Sequence, residues 1–160
     1  MPTLQFGTLD VAYSQASLRK AGINPGAFKS SSVTTGDVAE ILESQYHVMQ
    51  TFYILKQERI AGFLANSMAN ALQDRLNGRT VGRNPMFDAE QQIEAAFRGF
   101  LDANEMNRLS VALTGTPVSA AAVAGVNPRK KHPYAKKNKA RPSFIATGLY
   151  RASFRALYKP

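Results

Sequence analysis

The sequence predicts a mainly α-helical chain, becoming α+β only if one short stretch forms a strand. Three observations carry that expectation. About forty residues, Asp37 to Asn77, contain no proline and place apolar side chains at alternating steps of four and three. A second face of the same period follows between Asp88 and Asn104. Near the end of the chain Tyr150, Phe154 and Tyr158 fall four apart, the spacing of one helical face.

The 160 residues suffice for one domain with a real core, and 44% of them are hydrophobic. Composition divides the chain into an N-terminal arm and linker over 1–35, a helical body over 36–125, and a basic loop with a C-terminal helix over 126–160. In the arm, Thr8 to Lys20 is loosely helical, Gly22, Pro25 and Gly26 break it, and Lys29 to Thr35 is rich in Ser and Thr. An extended arm of this kind either frays or lies on a neighbouring subunit.

In the body, Asp37 and Glu40 suit a helix start, and Asn77-Gly78 suits a stop. Between them Ile41, Gln45, Val48, Phe52 and Leu55 form one stripe. Ile60, Phe63 or Leu64, Ser67 or Met68, Ala71 and Leu76 form a second. The expectation is one long helix of roughly 60 Å, interrupted at most near Gly62. A helix this apolar must pack on its own chain or on copies of itself. Asp88, with Gln91 three residues later, reads as the cap of a second helix whose face is Ile93, Ala96, Phe97, Phe100 and Leu101. The two helices form an antiparallel hairpin in this reading, with Phe52 buried against Phe97, Phe100 and Leu101. Leu109 to Leu113 alternates enough for a short strand. Thr116-Pro117 opens a short helix that Gly125 ends.

Charge is distributed unevenly. The chain carries 20 Lys and Arg against 11 Asp and Glu, a net +9. Val126 to Pro160 holds ten of the basic residues and no acidic one, so residues 1–125 sit at −1. Seven of those ten fall in one run: Arg129, Lys130, Lys131, Lys136, Lys137, Lys139 and Arg141. Such a run can face phosphates without reading sequence, or dock on an acidic protein surface; a solvated loop is the plain alternative. Phe144 and Ile145, which follow, favour docking, since a free tail has no use for them. Thr147 reads as the N-cap of a final helix reaching about Leu157.

Catalytic and cofactor chemistry is not signalled. Cysteine is absent, which leaves no thiolate ligand and no thiol nucleophile. His47 and His132 stand far apart, and neither belongs to a metal-binding pair. Glu40 and Glu43 near a helix start suit dipole compensation better than a carboxylate dyad. No phosphate-binding glycine loop and no nucleophile elbow occur. The expectation is a binding or assembly protein without enzymatic activity, cofactor or metal. With no run of eighteen apolar residues and no signal-like N-terminus, no membrane partner is expected either.

The segment Ala140 to Phe154, ARPSFIATGLYRASF, resembles a signature of tailed-phage virion proteins, above all the neck and tail-completion (head–tail joining) families. That signature runs Pro, hydrophobic, Thr-Gly-x-x-x-x-Ser-hydrophobic, and its positions here are Pro142, Phe144, Thr147, Gly148, Leu149, Ser153 and Phe154. The resemblance implies a basic linker, a Thr-Gly turn and a short helix packed on the rest of the subunit. With Ile145 and Tyr150 these residues make up the expected anchor. It further implies a virion structural subunit, assembled in the host cytoplasm, that forms a ring of copies of itself at the head–tail junction. Its partners would be other phage neck or tail proteins, and the genomic DNA through non-specific phosphate contacts. Two alternatives stand beside it: a structural subunit of the tail end (baseplate), and a non-specific nucleic-acid-binding accessory protein.

Overall fold

Both ends of the chain meet in one small sheet that closes over a helical hairpin. The computed structural model describes residues 2–13, 34–106, 109 and 148–159. Its elements in chain order are β1 (Thr3–Thr8), α1 (Thr35–Tyr46), α2 (Val48–Leu76), α3 (Phe87–Asp102), α4 (Leu149–Ser153) and β2 (Phe154–Lys159). The chain is α-rich with a minor β component, as its sequence predicts.

The expected long helix is two helices. Thr34, not Asp37, is the N-cap of α1. Its hydroxyl accepts from the Asp37 N–H at 3.2 Å, and the Asp37 carboxylate accepts from the Thr34 N–H at 2.9 Å. The capping box thus starts three residues earlier than the sequence reading placed it. The interruption falls at His47, in the left-handed region at φ 49 and ψ 47, and not at Gly62. One left-handed residue replaces a loop. The His47 N–H still donates to the Glu43 carbonyl at 3.0 Å, and Thr51 N–H donates to the His47 carbonyl at 2.8 Å. Glu43 completes the joint, its two carboxylate oxygens accepting from Met49 N–H at 2.8 Å and Gln50 N–H at 3.1 Å. Those are first-turn donors of α2 with no partner inside their own helix. The change of direction redistributes the expected stripe: Val48 and Phe52 are fully buried, whereas Ile41 and Leu55 are exposed. Farther along, Ile60 and Ser67 are buried while Met68 and Leu76 face outward. Asn77 is the C-cap, and Gly78 takes the left-handed turn expected of it, at φ 72.

α3 begins at Phe87 with Met86 as its N-cap, so Asp88 lies in the first turn instead of capping. Asn84 braces this start, its side-chain oxygen accepting from Met86 N–H at 2.9 Å. Ile93, Phe97, Phe100 and Leu101 are buried as expected. Phe52 lies 5.2 Å from Phe97 and 5.6 Å from Phe100 between ring centroids. Lys56, one turn beyond Phe52, pairs with Glu105, just past the end of α3, at 2.8 Å. The start of α2 therefore meets the end of α3, and the hairpin is antiparallel.

The ends depart from expectation. Residues 3–8 are a strand, not a loose arm, and pair antiparallel with β2 from Thr3↔Lys159 to Thr8↔Phe154. The final helix spans only Leu149–Ser153, its N-cap is Gly148 at φ 78 rather than Thr147, and it does not reach Leu157. Pairing decides the matter: as a strand, Phe154 and Ala156 turn inward while Leu157 and Lys159 turn out. β1 brings Leu4 and Phe6 against the same core. Phe154 stacks on Phe97 with centroids 3.8 Å apart and planes 16° apart. Downstream of β1 the chain is stitched to α1. Thr35 Oγ1 donates to the Leu9 carbonyl and accepts from Val11 N–H at 2.9 Å. Gly36 N–H donates to Asp10 at 3.1 Å. A Cβ at Gly36 would meet the Asp10 carboxylate at 2.8 Å, so a larger residue there would displace that side chain and its hydrogen bond. The expected helix after Thr116 lies outside the described residues, as does the expected strand at 109–113 apart from Leu109.

Candidate functional site

Of the expected anchor, Gly148, Leu149, Tyr150, Ser153 and Phe154 are described, and they come together on the body. Pro142, Phe144, Ile145 and Thr147 lie outside the described residues, as does the basic run Arg129, Lys130, Lys131, Lys136, Lys137, Lys139 and Arg141. Tyr150, Ser153 and Phe154 are buried. Tyr150 packs edge-on to Phe97 at 6.1 Å, and the Ser153 hydroxyl donates to the Tyr150 carbonyl at 2.9 Å. Among the described residues the Tyr150 hydroxyl has no hydrogen-bond partner. Burial first, then the neighbouring Glu43 and Tyr13, push its phenol far above the usual tyrosine range, so it stays neutral.

Two arginines tie the anchor to acidic residues of α3. Arg151 forms a two-pronged pair with Asp102, its Nε 2.7 Å from one carboxylate oxygen and its Nη2 on the other. Arg155 reaches Glu94 at 3.5 Å, where Arg98 already pairs at 2.8 Å. Glu94 and Glu90 are both buried, one turn apart on the face that carries Ile93 and Phe97. Glu90 accepts from the β2 backbone at Tyr158 N–H, 2.8 Å, and from the Asn84 side chain at 2.7 Å. Buried carboxylates are tolerated only when paired in this way. Arg151 and Arg155, counted in the sequence among the basic tail, are thus matched within the chain.

The sequence reading singled out Glu40 and Glu43 and passed over Glu90 and Glu94. The signal was available: Glu90, Glu94, Phe97 and Leu101 share one helical face. A carboxylate on an apolar face needs a cation or an amide, and the C-terminal segment supplies both.

The anchor also fixes where the basic segment is tethered. Met106, which precedes the basic run, and Tyr150, which follows it, are both buried. Met106 and Tyr150 belong to one core cluster, and the Arg151–Asp102 pair joins the two sides.

Beside the sheet, α2 and β1 form the walls of an open groove of about 580 Å³. Leu4, Phe6, Met49, Tyr53, Ile60 and Leu64 make it mainly apolar, with Glu43, Gln50 and Gln57 on its lining as well. Glu43 is already engaged with the α2 backbone. The groove offers apolar contact and amide hydrogen bonds. His47, the one described histidine, serves as the left-handed joint between helices. Among the described residues no three of His, Asp and Glu gather as a metal site, and no helix is long and apolar enough to cross a membrane. No protein-family model matches the chain, and no curated protein and no solved structure shows significant similarity to it.

Proposed function

We propose that this chain is a non-catalytic structural subunit of a tailed-phage virion, forming a ring at the neck or tail-completion position of the head–tail junction. The observation that carries the reading is the double tether of the basic segment. A run of seven cations attached at a free end would sample all directions. Here the run lies in sequence between Met106 and Tyr150, both buried in one core cluster, and the Arg151–Asp102 pair joins the two sides. In a ring of copies such a segment is presented at the same place on every subunit, facing either an acidic neighbour or the DNA path. The resemblance of Pro142 to Phe154 to the neck and tail-completion signature supplies the virion context. The partners on this reading are further copies, adjacent neck or tail proteins, and genomic DNA through non-specific phosphate contacts.

A second reading, a non-specific nucleic-acid-binding accessory protein, is favoured by the net charge of +9 and its concentration in residues 126–160. Reversal of Lys130, Lys131, Lys136 and Lys137 to Glu separates the cases. A protein target predicts blocked assembly with one particular neighbour. A DNA path predicts that rings still form while genome retention fails. For the accessory protein, the wild type is a monomer that shifts any DNA and the variant loses that shift. Full assembly of the variant into infectious particles would overturn the role given to the basic segment.

A further inference from the structure

We propose that the outward face of α2 is a self-association seam, on which two copies of this chain pair antiparallel with their two-fold axis level with position 63. The core-facing residues Val48, Phe52, Ile60 and Ser67 occupy one side of α2. On the opposite side stand Ile54, Ala61, Ala65, Met68 and Leu72, at steps of seven, four, three and four. Ile54 is 48% exposed, Met68 57% and Leu72 62%, and no described residue covers them. Glu58 fills the gap in the pattern, so the seam follows the three–four alternation by which helices pair.

The sizes along the seam identify the partner. Reflection about position 63 sets Ala61 against Ala65, and Ile54 against Leu72, so small meets small and large meets large. Glu58 then lies against Met68, a charged position within the seam between the central alanines and its ends. The two exposed alanines at the centre let the helices approach closely, and the larger residues close the ends. Charge agrees with the same register. Ile60 to Gln73 contains no charged residue. Antiparallel pairing therefore sets each copy's Lys56, Glu58 and Arg59 against an uncharged stretch of the other, and no like charges face each other. The paired length is about 30 Å, which with both copies counted removes on the order of 1,000 Å² from water, the lower limit for a specific interface. Weak, reversible pairing is expected.

The seam does not depend on the proposed ring. An isologous contact closes at two copies, so it joins two subunits, or two rings back to back. The test uses the full-length chain in sedimentation analysis, wild type against Met68→Glu/Leu72→Glu, both at exposed positions. The wild type should associate, and the double variant should weaken that association at least 100-fold, halving the mass of any assembly, with helical content and melting unchanged. Because the chain has no cysteine, introduced thiols report on the seam alone. A mixture of Ala61→Cys and Ala65→Cys proteins, treated with a short bis-maleimide, should yield the mixed 61–65 link. A prevailing 61–61 link, an association that survives the double variant, or a monomeric wild type would each overturn the pairing. A monomeric wild type that melts lower when the seam is charged would assign the face to the chain's own residues. Rings whose mass is unaffected by the double variant would overturn the seam and leave the proposed function standing. A pair that never grows larger would do the reverse.

Discussion

Replacing Phe52 by alanine probes the junction on which the whole fold depends. The side chain is fully buried. It touches the helical hairpin through Phe97 and Phe100, at 5.2 and 5.6 Å, and the terminal strands through Phe6 and Phe154, at 6.0 and 6.2 Å. Removing a fully buried phenyl ring costs about 3–5 kcal/mol, from lost transfer energy and from the cavity left behind. The upper half of that range is expected, because the neighbours belong to three different elements and cannot all collapse inward together. Against a typical total of about 5–15 kcal/mol, the loss is a large fraction of the stability. For a chain of this length it lowers the melting temperature by roughly 6–20 °C. Urea denaturation followed by far-UV circular dichroism measures it, with Phe87→Ala as the control. Phe87 is 55% exposed, and its replacement should stay within about 0.5 kcal/mol. A loss below about 1 kcal/mol for Phe52→Ala would refute the packing described, since no fully enclosed phenylalanine is that dispensable.

Other perturbations follow from individual contacts. Tyr150→Phe removes a buried hydroxyl that has no partner among the described residues, and should leave stability unchanged or raise it by about 1–2 kcal/mol in the same assay. The variant should also alter alkaline unfolding. The folded phenol titrates above its unfolded value, so its contribution is complete below about pH 10; above that it falls by about 1.4 kcal/mol per pH unit, a slope Tyr150→Phe should lack. Glu90→Ala strips the Tyr158 amide and the Asn84 side chain of their acceptor, and should cost about 1–3 kcal/mol with faster amide exchange at Tyr158. His47→Gly relieves a left-handed non-glycine residue and should stabilise by up to about 1 kcal/mol, whereas Glu43→Ala uncaps α2 and should cost about 1 kcal/mol, both by thermal denaturation.

The hairpin was legible in the sequence because its signal is local. Ile93, Phe97, Phe100 and Leu101 repeat at helical spacing, and a helix needs no distant partner to declare itself. Phe52 was placed correctly against them for the same reason. The joint at His47 was not legible, since the helical spacing continues from Ile41 through Gln45 to Leu55 and neither glycine nor proline marks the turn. What stabilises the turn is the Glu43 side chain reaching across it, a tertiary detail with no periodicity. The sheet was missed because its strands lie at opposite ends of the chain, and each carries only six residues. Phe154 to Lys159 alternates inward and outward, but Tyr150, Phe154 and Tyr158 satisfy a helical spacing equally well. Only the presence of Thr3–Thr8 as a partner decides between the two. Tyr150, Ser153 and Phe154 are buried through a five-residue helix and a strand, where the sequence suggests one longer helix.

The assembly reading is tested most directly by the native mass of the purified full-length chain at near-physiological salt, measured by native mass spectrometry and checked by electron microscopy of single particles. A closed ring of many copies is the expected result, persisting after nuclease treatment. A protein that remains monomeric at every concentration, and shifts any DNA with strong salt dependence, would contradict the ring and leave nucleic-acid binding as the function.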